Sequence, residues 1–294
     1  MKGQVLKMVS YNCQGLNMKE KRGDVLNYLY SKDYNIYSLQ DTHFVEQDEV
    51  QIKNQWQGEC IFNSFASNQR GVAIFFKNNF EFKINQVKTD DNGNLLGLDL
   101  NIEDKRITLI NIYGPNVDTP CFYNKVAEVI ENFDNQSCIL CGDFNLIQNY
   151  VTINNPRSRE KLLDIQEDYN IVDPFRELYH VLKIFPCRKR NPFKQSRLDF
   201  FLVSDSLFYS ACDVKIDNSY KSDHSPVIFS FKINEFVKGK GLWKFNNSLL
   251  HDTEYVKLVK KQIKDVKEQY SVHVYNKGEL RDIDNLDIHL TIDD

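Results

Sequence analysis

One local pattern constrains this chain more than any other. Short runs of Val, Ile, Leu, Phe and Tyr recur along it, each bounded by Asn, Asp, Gly or Ser, with helical stretches between them. Such runs predict strands at 6–11, 35–39, 60–64, 72–76, 95–102, 107–112, 137–141, 198–203, 212–216 and 227–231. Helices are predicted at 21–30, 122–132, 160–168 and 252–268; the first carries Val25, Leu26 and Leu29 at helical spacing. Strands and helices that alternate in this way point to an α/β protein with more than one sheet. No internal repeat or low-complexity tract interrupts the pattern.

Composition narrows the function classes. Hydrophobic residues make up 41% of the 294 positions and aromatics 13%, enough apolar surface for a sizeable core and too much for a disordered chain. Lys plus Arg number 37 against 41 Asp plus Glu, a net charge of -4, so any binding of nucleic acid has to rest on a local basic stripe. Apolar runs such as 72–76 fall far short of the ~20 residues of a membrane helix, which leads us to expect a soluble chain with no membrane partner. Seven cysteines, with no apolar segment behind Met1-Lys2-Gly3-Gln4, suggest reduced thiols and an intracellular setting. Cys138 and Cys141 form a C-x-x-C without a second pair or histidines at ligand spacing, and read as two cysteines of a buried strand.

The texture changes after Lys232. The stretch 236–247 is basic and contains Trp243 and Phe245; a Lys-rich amphipathic helix follows, and 279–294 is acidic. These shifts predict one domain over 1–233 and an extension over 234–294.

Polar residues cluster where the strands stop. Asn12 closes the first, Gln40-Asp41-Thr42-His43 the second, Asn111-Ile112-Tyr113-Gly114-Pro115-Asn116 a later one, and Gly142-Asp143-Phe144-Asn145 follows another. Ser196-Arg197-Leu198-Asp199 opens a late strand, and Ser222-Asp223-His224-Ser225-Pro226 precedes the last. Taken singly, an Asn or Asp after a strand reads as a turn residue and Ser-Asp-His as a surface loop. Together they supply several carboxylates and amides for a hard cation and an acid beside an imidazole. Oxygen donors favour Mg²⁺ over Zn²⁺. Strand ends are also where α/β folds gather ligand sites.

These segments, in this order, resemble the endonuclease/exonuclease/phosphatase superfamily, and most of all the apurinic-type endonuclease domain of LINE-type (non-LTR) retrotransposon proteins. The resemblance runs from about 6 to 250, because Gly241-Leu242-Trp243-Lys244-Phe245-Asn246-Asn247-Ser248-Leu249-Leu250 is similar to the stretch that joins that endonuclease to a reverse transcriptase. It implies a four-layer α/β sandwich of two packed mixed β-sheets flanked by helices, and Mg²⁺-dependent nicking of DNA, with Mn²⁺ as a substitute ion. DNA is then the partner, no protein partner is indicated, and a nuclear location follows from the family. By position, Asp41, Asn12 and Asp223 would lie at the metal. Asp143 would activate the attacking water, held by Asn145; Asp199 would orient His224 toward the phosphate, and Tyr113 would donate to it. Two positions depart from the family: Asp41 stands where Glu is usual, and Phe185-Pro186-Cys187 where an aromatic, Thr and Trp are common. Lys183, Arg188, Lys189, Arg190, Lys194 and Arg197 form a basic run without an acid, where the resembled family carries a hairpin that probes the DNA groove. An abasic-site repair endonuclease and a catalytically impaired DNA-binding remnant stay open as alternatives.

Overall fold

The computed structural model describes residues 4–146, 155–179, 187–190 and 193–233, then 256–258, 260–262 and 264, with the backbone alone at 188–190 and 193–195. The chain divides into two compact units, Met1–Gly239 and Lys240–Asp294. In the second, the described residues are helical. No helix among the described residues is long and apolar enough to cross a membrane.

The first unit runs β1 (Val5–Asn12), α1 (Lys19–Ser31), β2 (Ile36–Gln40), α2 (Glu49–Trp56), β3 (Cys60–Asn63), β4 (Val72–Phe76), β5 (Lys83–Thr89), β6 (Leu95–Ile102) and β7 (Lys105–Tyr113). It continues with α3 (Pro120–Phe133), β8 (Cys138–Asp143), α4 (Pro156–Asp168), β9 (Ile171–Val172), α5 (Pro174–Leu178), β10 (Cys187–Arg190), β11 (Phe193–Ser196), β12 (Asp199–Ser204), α6 (Asp205–Phe208), β13 (Ala211–Ile216) and β14 (Val227–Lys232). Two six-stranded sheets form, in the orders β13-β14-β1-β2-β4-β3 and β5-β6-β7-β8-β12-β9. Each holds one parallel pair near its centre, β1 with β2 and β7 with β8, among antiparallel neighbours. The hairpin β10–β11 stands as a separate two-stranded sheet.

Side-chain alternation explains the layering. Along β1, Leu6 and Met8 belong to the core between the sheets, whereas Val9 and Tyr11 face the other way. Along β8, Ile139 and Cys141 face inward while Cys138 and Leu140 face outward, the period of two that a pleated strand imposes. The inter-sheet core joins Leu6, Met8, Ile36 and Ile74 of one sheet to Leu98, Leu109, Ile139 and Phe201 of the other. Outside the first sheet, Val25, Leu26 and Leu29 of α1 and Ile52 and Trp56 of α2 pack on Tyr37 and Phe75. Outside the second, Val126, Ile130 and Phe133 of α3 and Leu162 and Ile165 of α4 pack on Ile110, Leu140 and Leu202. The expected α/β sandwich of two mixed sheets flanked by helices is therefore the fold.

Candidate active site

The inward-facing register does not end with the apolar core. One pleat beyond the last core residue the same faces carry Asn111 of β7, Asp143 of β8 and Asp199 of β12, and two pleats beyond it, past Ser10 and Ser38, Asn12 of β1 and Gln40 of β2, all buried. The core face thus turns polar at one rim of the sandwich. Strand register aligns the rim: Tyr113 pairs with Asp143, and Asp143 with Asp199, across β7–β8–β12. Asn111 fastens the two sheets together just inside it. Its Nδ2 donates to the carbonyls of Leu39 and Ala73 at 2.9 and 3.0 Å, and its Oδ1 accepts from Gln40 Nε2 at 2.7 Å.

The Gly-Asp-Phe-Asn segment has a backbone reason for its residues. Gly142 has a φ of +143°, and a side chain there would drive a carbon to 2.0 Å from the Ile112 carbonyl oxygen. Asn145 sits in the left-handed region at φ 51°, which Asn tolerates better than most residues. Its Nδ2 donates to the Gly114 carbonyl at 2.7 Å, which ties the end of β8 to the end of β7.

Asp143 occupies the centre of the site. Its Oδ1 accepts the Asn145 backbone N–H at 2.9 Å, and its Oδ2 accepts Asn12 Nδ2 at 2.8 Å. Burial raises its pKa and Asp199 raises it further; His224 and the donors of Asn145 and Asn12 offset part of that, leaving it at about 6. His224 Nδ1 lies 2.7 and 2.9 Å from the two oxygens of Asp199, and Nε2 points toward Asp143 Oδ2 at 3.9 Å and Asp223 Oδ1 at 3.7 Å. Burial disfavours charge on this ring, but the Asp199 carboxylate, with Cys187 and Asp143 beyond it, pushes its pKa up to about 12. The ring is accordingly an imidazolium, with Nδ1 donating to Asp199 and a second N–H aimed into the site.

Asp41 forms the other flank. It follows β2 at φ 51°, and its Oδ1 accepts the Arg70 backbone N–H at 3.1 Å and faces His43 Nε2 at 3.0 Å. Beside it opens a cleft of about 610 Å³, lined among others by Asp41, His43, Arg70, Tyr113, Asn116 and Lys125. Burial, with the carboxylates of Asp41 and Asp143, raises the Tyr113 pKa, so its hydroxyl keeps its proton as a donor. Lys21 donates from Nζ to the carbonyls of Cys13 and Gln14 at 2.9 and 2.6 Å, bracing the loop that carries Asn12 into α1.

A hard cation fits this donor set. Asp41 and Asp223 are partly exposed carboxylates, at 14% and 28%, and the rest of the rim offers oxygen. Two groups of metal-ligating atoms come within 4.8 Å of one another among the described residues: Asp143–Asp199–His224 and Cys187–Asp223–His224. Asp41 stands in neither. Asn12 is joined to Asp143, and its Oδ1 accepts the Gln14 N–H at 3.0 Å.

The structure corrects one residue expected on the DNA surface. Arg197 is only 4% exposed and lies in a buried ion pair with Asp173, its Nη2 2.8 Å from Oδ1 and its guanidinium stacked on Phe175 and Phe200. A guanidinium spent in this way cannot track a phosphate backbone. Lys183 lies outside the described residues. Arg188, Lys189 and Arg190 are on β10 and Lys194 on β11, whose register pairs Lys189 with Lys194; their side chains lie outside the described set. Cys138 and Cys141 are buried on opposite faces of β8 and cannot share an ion. Two site residues escaped the sequence reading of function. His43 pairs with Asp41, and its place two positions after a candidate ligand was the signal in the sequence. Cys187 stands at His224, and its sole signal was a departure from the resembled family.

Comparisons with known proteins agree with this architecture. The model of the Endonuclease/Exonuclease/phosphatase family matches residues 9–224. The Xenopus laevis "Transposon TX1 uncharacterized 149 kDa protein" is 26% identical over 264 residues, which cover 87% of this chain and 20% of that protein. The chain thus spans about a fifth of the length of this relative. The exodeoxyribonuclease of Bacillus subtilis (strain 168) is 24% identical over 253 residues, 76% of this chain and 98% of its own. Among solved structures, the AP endonuclease LMAP from Leishmania major shares the fold with a TM-score of 0.66 at 18% identity, covering 78% of this chain and 88% of its own. A family match that begins in β1 and ends on the histidine of the rim takes in every strand end that builds the site, and the chain belongs to the Endonuclease/Exonuclease/phosphatase family.

Proposed function

We propose that this chain is a Mg²⁺-dependent endonuclease that nicks DNA on behalf of a LINE-type element. One observation carries the reading: the buried Asp143–His224–Asp199 cluster, with Asn12 and Asn145 holding Asp143 in place. A carboxylate that titrates at about 6 is ionised at neutral pH and basic enough to orient a water and take its proton. The His224 imidazolium then supplies positive charge and an N–H to a non-bridging phosphate oxygen, and Asp199 fixes the ring. The Tyr113 hydroxyl donates to the same phosphate from the cleft side. As the water oxygen bonds to phosphorus, the opposite P–O bond breaks, the departing oxygen takes a proton from solvent water, and Asp143 returns to solvent the proton it accepted. Asp41, Asp223 and Asn12 would hold Mg²⁺, which when bound neutralises charge on the phosphate oxygens. Support for DNA as substrate comes from the relative named an exodeoxyribonuclease, and support for the element from the transposon relative. By the resemblance of 241–250 to a junction of that kind we read 234–294 as a linker toward a reverse transcriptase, and by the family resemblance we place the reaction in the nucleus.

Supercoiled plasmid tests this reading. Conversion to open circle is expected with Mg²⁺ and not with EDTA, and it is lost in an Asp143→Ala, His224→Ala double variant. A well-folded native protein that leaves the plasmid closed overturns it. An Asp41→Glu variant that then nicks assigns the loss to the shorter carboxylate.

A further inference from the structure

Three chemically different ligands meet at the rim in the second of its two ligand groups. The Cys187 thiol, the Asp223 carboxylate and the His224 imidazole place one ligand atom each within 4.8 Å of the others. His224 Nε2 is the atom available for this, because Nδ1 is bound to Asp199 at 2.7 Å. Nε2 lies 3.7 Å from Asp223 Oδ1, and tetrahedral ligands about 2.1 Å from zinc sit about 3.4 Å apart. Asp143 belongs to the other ligand group, so the three side chains leave a fourth position to solvent water. A carboxylate on the far nitrogen is the usual support of a zinc-bound imidazole, since it fixes the tautomer and the ring plane. Cys187 is buried, while Asp223 is 28% exposed and offers the way in.

We propose that Cys187, His224 and Asp223 form a binding site for a soft divalent cation of the Zn²⁺ type, and that its occupation silences the enzyme. A thiolate–imidazole–carboxylate set suits Zn²⁺ and is a poor site for Mg²⁺, which takes oxygen and keeps its water. Binding is balanced by proton release. The Cys187 S–H gives its proton to solvent as the S–Zn bond forms, and the His224 Nε2–H gives up its own as the N–Zn bond forms. The dication then lies beside carboxylates on the Nε2 side of the ring, Asp223 as a ligand and Asp143 as a neighbour, which favour positive charge. It also removes the His224 N–H from the phosphate and Asp223 from the magnesium set. This inhibitory consequence rests on the nuclease reading above; the binding itself does not.

Co²⁺ is the probe for binding, with the purified full chain in the absence of DNA. One equivalent is expected to give strong visible ligand-field bands and a near-ultraviolet thiolate charge-transfer band. Cys187→Ser is expected to lose the charge-transfer band, and Asp223→Ala to keep it while needing at least about tenfold more cobalt, since even an outer-shell change costs about 10–100-fold in metal affinity. Cys121→Ser and Cys212→Ser, which alter the exposed thiols, leave the spectrum unchanged. Equal melting temperatures in EDTA certify that the variants fold. A native chain without the charge-transfer band, or a band that survives Cys187→Ser, overturns the site. Inhibition is read separately as the Zn²⁺ concentration that halves Mg²⁺-dependent nicking, expected to rise at least about tenfold in Cys187→Ser. An unchanged value overturns the silencing role even where the cobalt spectrum stands, and a chain that does not nick at all removes the nuclease reading and that role with it while leaving binding to the spectrum.

Discussion

Asp143 is held between opposing influences, and their balance sets a pH at which the site turns on. Burial and Asp199 push its proton affinity up; His224, the Asn145 N–H and the Asn12 amide pull it down. The water-orienting form is the carboxylate, so kcat/KM for nicking is expected to rise with pH through about 6 and to stay level above it, because His224 keeps its proton far into the alkaline range. Removing the Asn12 donor with Asn12→Ala takes away a hydrogen bond to a charged group, worth about 1.5–3 kcal/mol. At about 1.4 kcal/mol per pKa unit, the acidic limb moves up by about one to two units. A pH–rate profile checks this; a limb that stays in place while the plateau falls would show Asn12 acting on the metal rather than on Asp143. The sequence exposes these residues because the chemistry is local: Gly-Asp-Phe-Asn and Ser-Asp-His each put reacting and supporting groups within a few positions. Cys187 stays hidden for the opposite reason. A thiol is read as a small apolar residue until the fold sets it beside an imidazole from the loop before β14.

At the scale of elements, Arg197 shows what a run of charge cannot reveal. Its partner Asp173 lies 24 positions earlier and has a second task as the N-cap of α5, accepting the N–H groups of Phe175 and Arg176. One carboxylate therefore joins the start of α5 to the residues leading into β12, the strand that presents Asp199. Arg197→Ala leaves that carboxylate buried without its counter-charge and is expected to cost about 3–5 kcal/mol of stability. A shift in the denaturation midpoint at unchanged slope checks it; a loss below about 1 kcal/mol would mean the pair is dispensable. Three elements the sequence missed, β5, β9 and α2, share one physical trait, which is little buried surface. β5 is an edge strand whose Lys-Ile-Asn-Gln-Val-Lys-Thr is largely exposed, and β9 has two residues. In α2 only Ile52 and Trp56 are buried, too few to set a helical period. The ten strands that were expected are those whose inward faces fill the cores, because burial on a pleated sheet is what writes alternation into a sequence.

At the scale of the molecule, charge and proposed function pull in different directions. A chain of net charge -4 repels a polyanion at long range, so contact with DNA has to come from a local excess of positive charge near the site. The hairpin β10–β11 meets this condition. Its first residue, Cys187, touches His224, its last, Ser196, lies three positions before Asp199, and it carries Arg188, Lys189, Arg190 and Lys194 without an acid between them. Each phosphate neutralised on duplex DNA releases counterions and adds about 0.9 to the slope of log affinity against log salt. Replacing all four residues by Ala is therefore expected to lower that slope by up to about 3.6 and to weaken binding alike across DNA sequences. Arg197 contributes nothing to it, since its charge is already spent on Asp173. Titrations of labelled duplex at several salt concentrations decide the matter. A slope that does not change would move the DNA surface to the cleft beside Asp41, where Arg70 and Lys125 are the cations. Equal loss of binding and slope in the hairpin variant, with Mg²⁺-dependent nicking restored at low salt, would establish that the hairpin holds the duplex while the rim performs the cleavage.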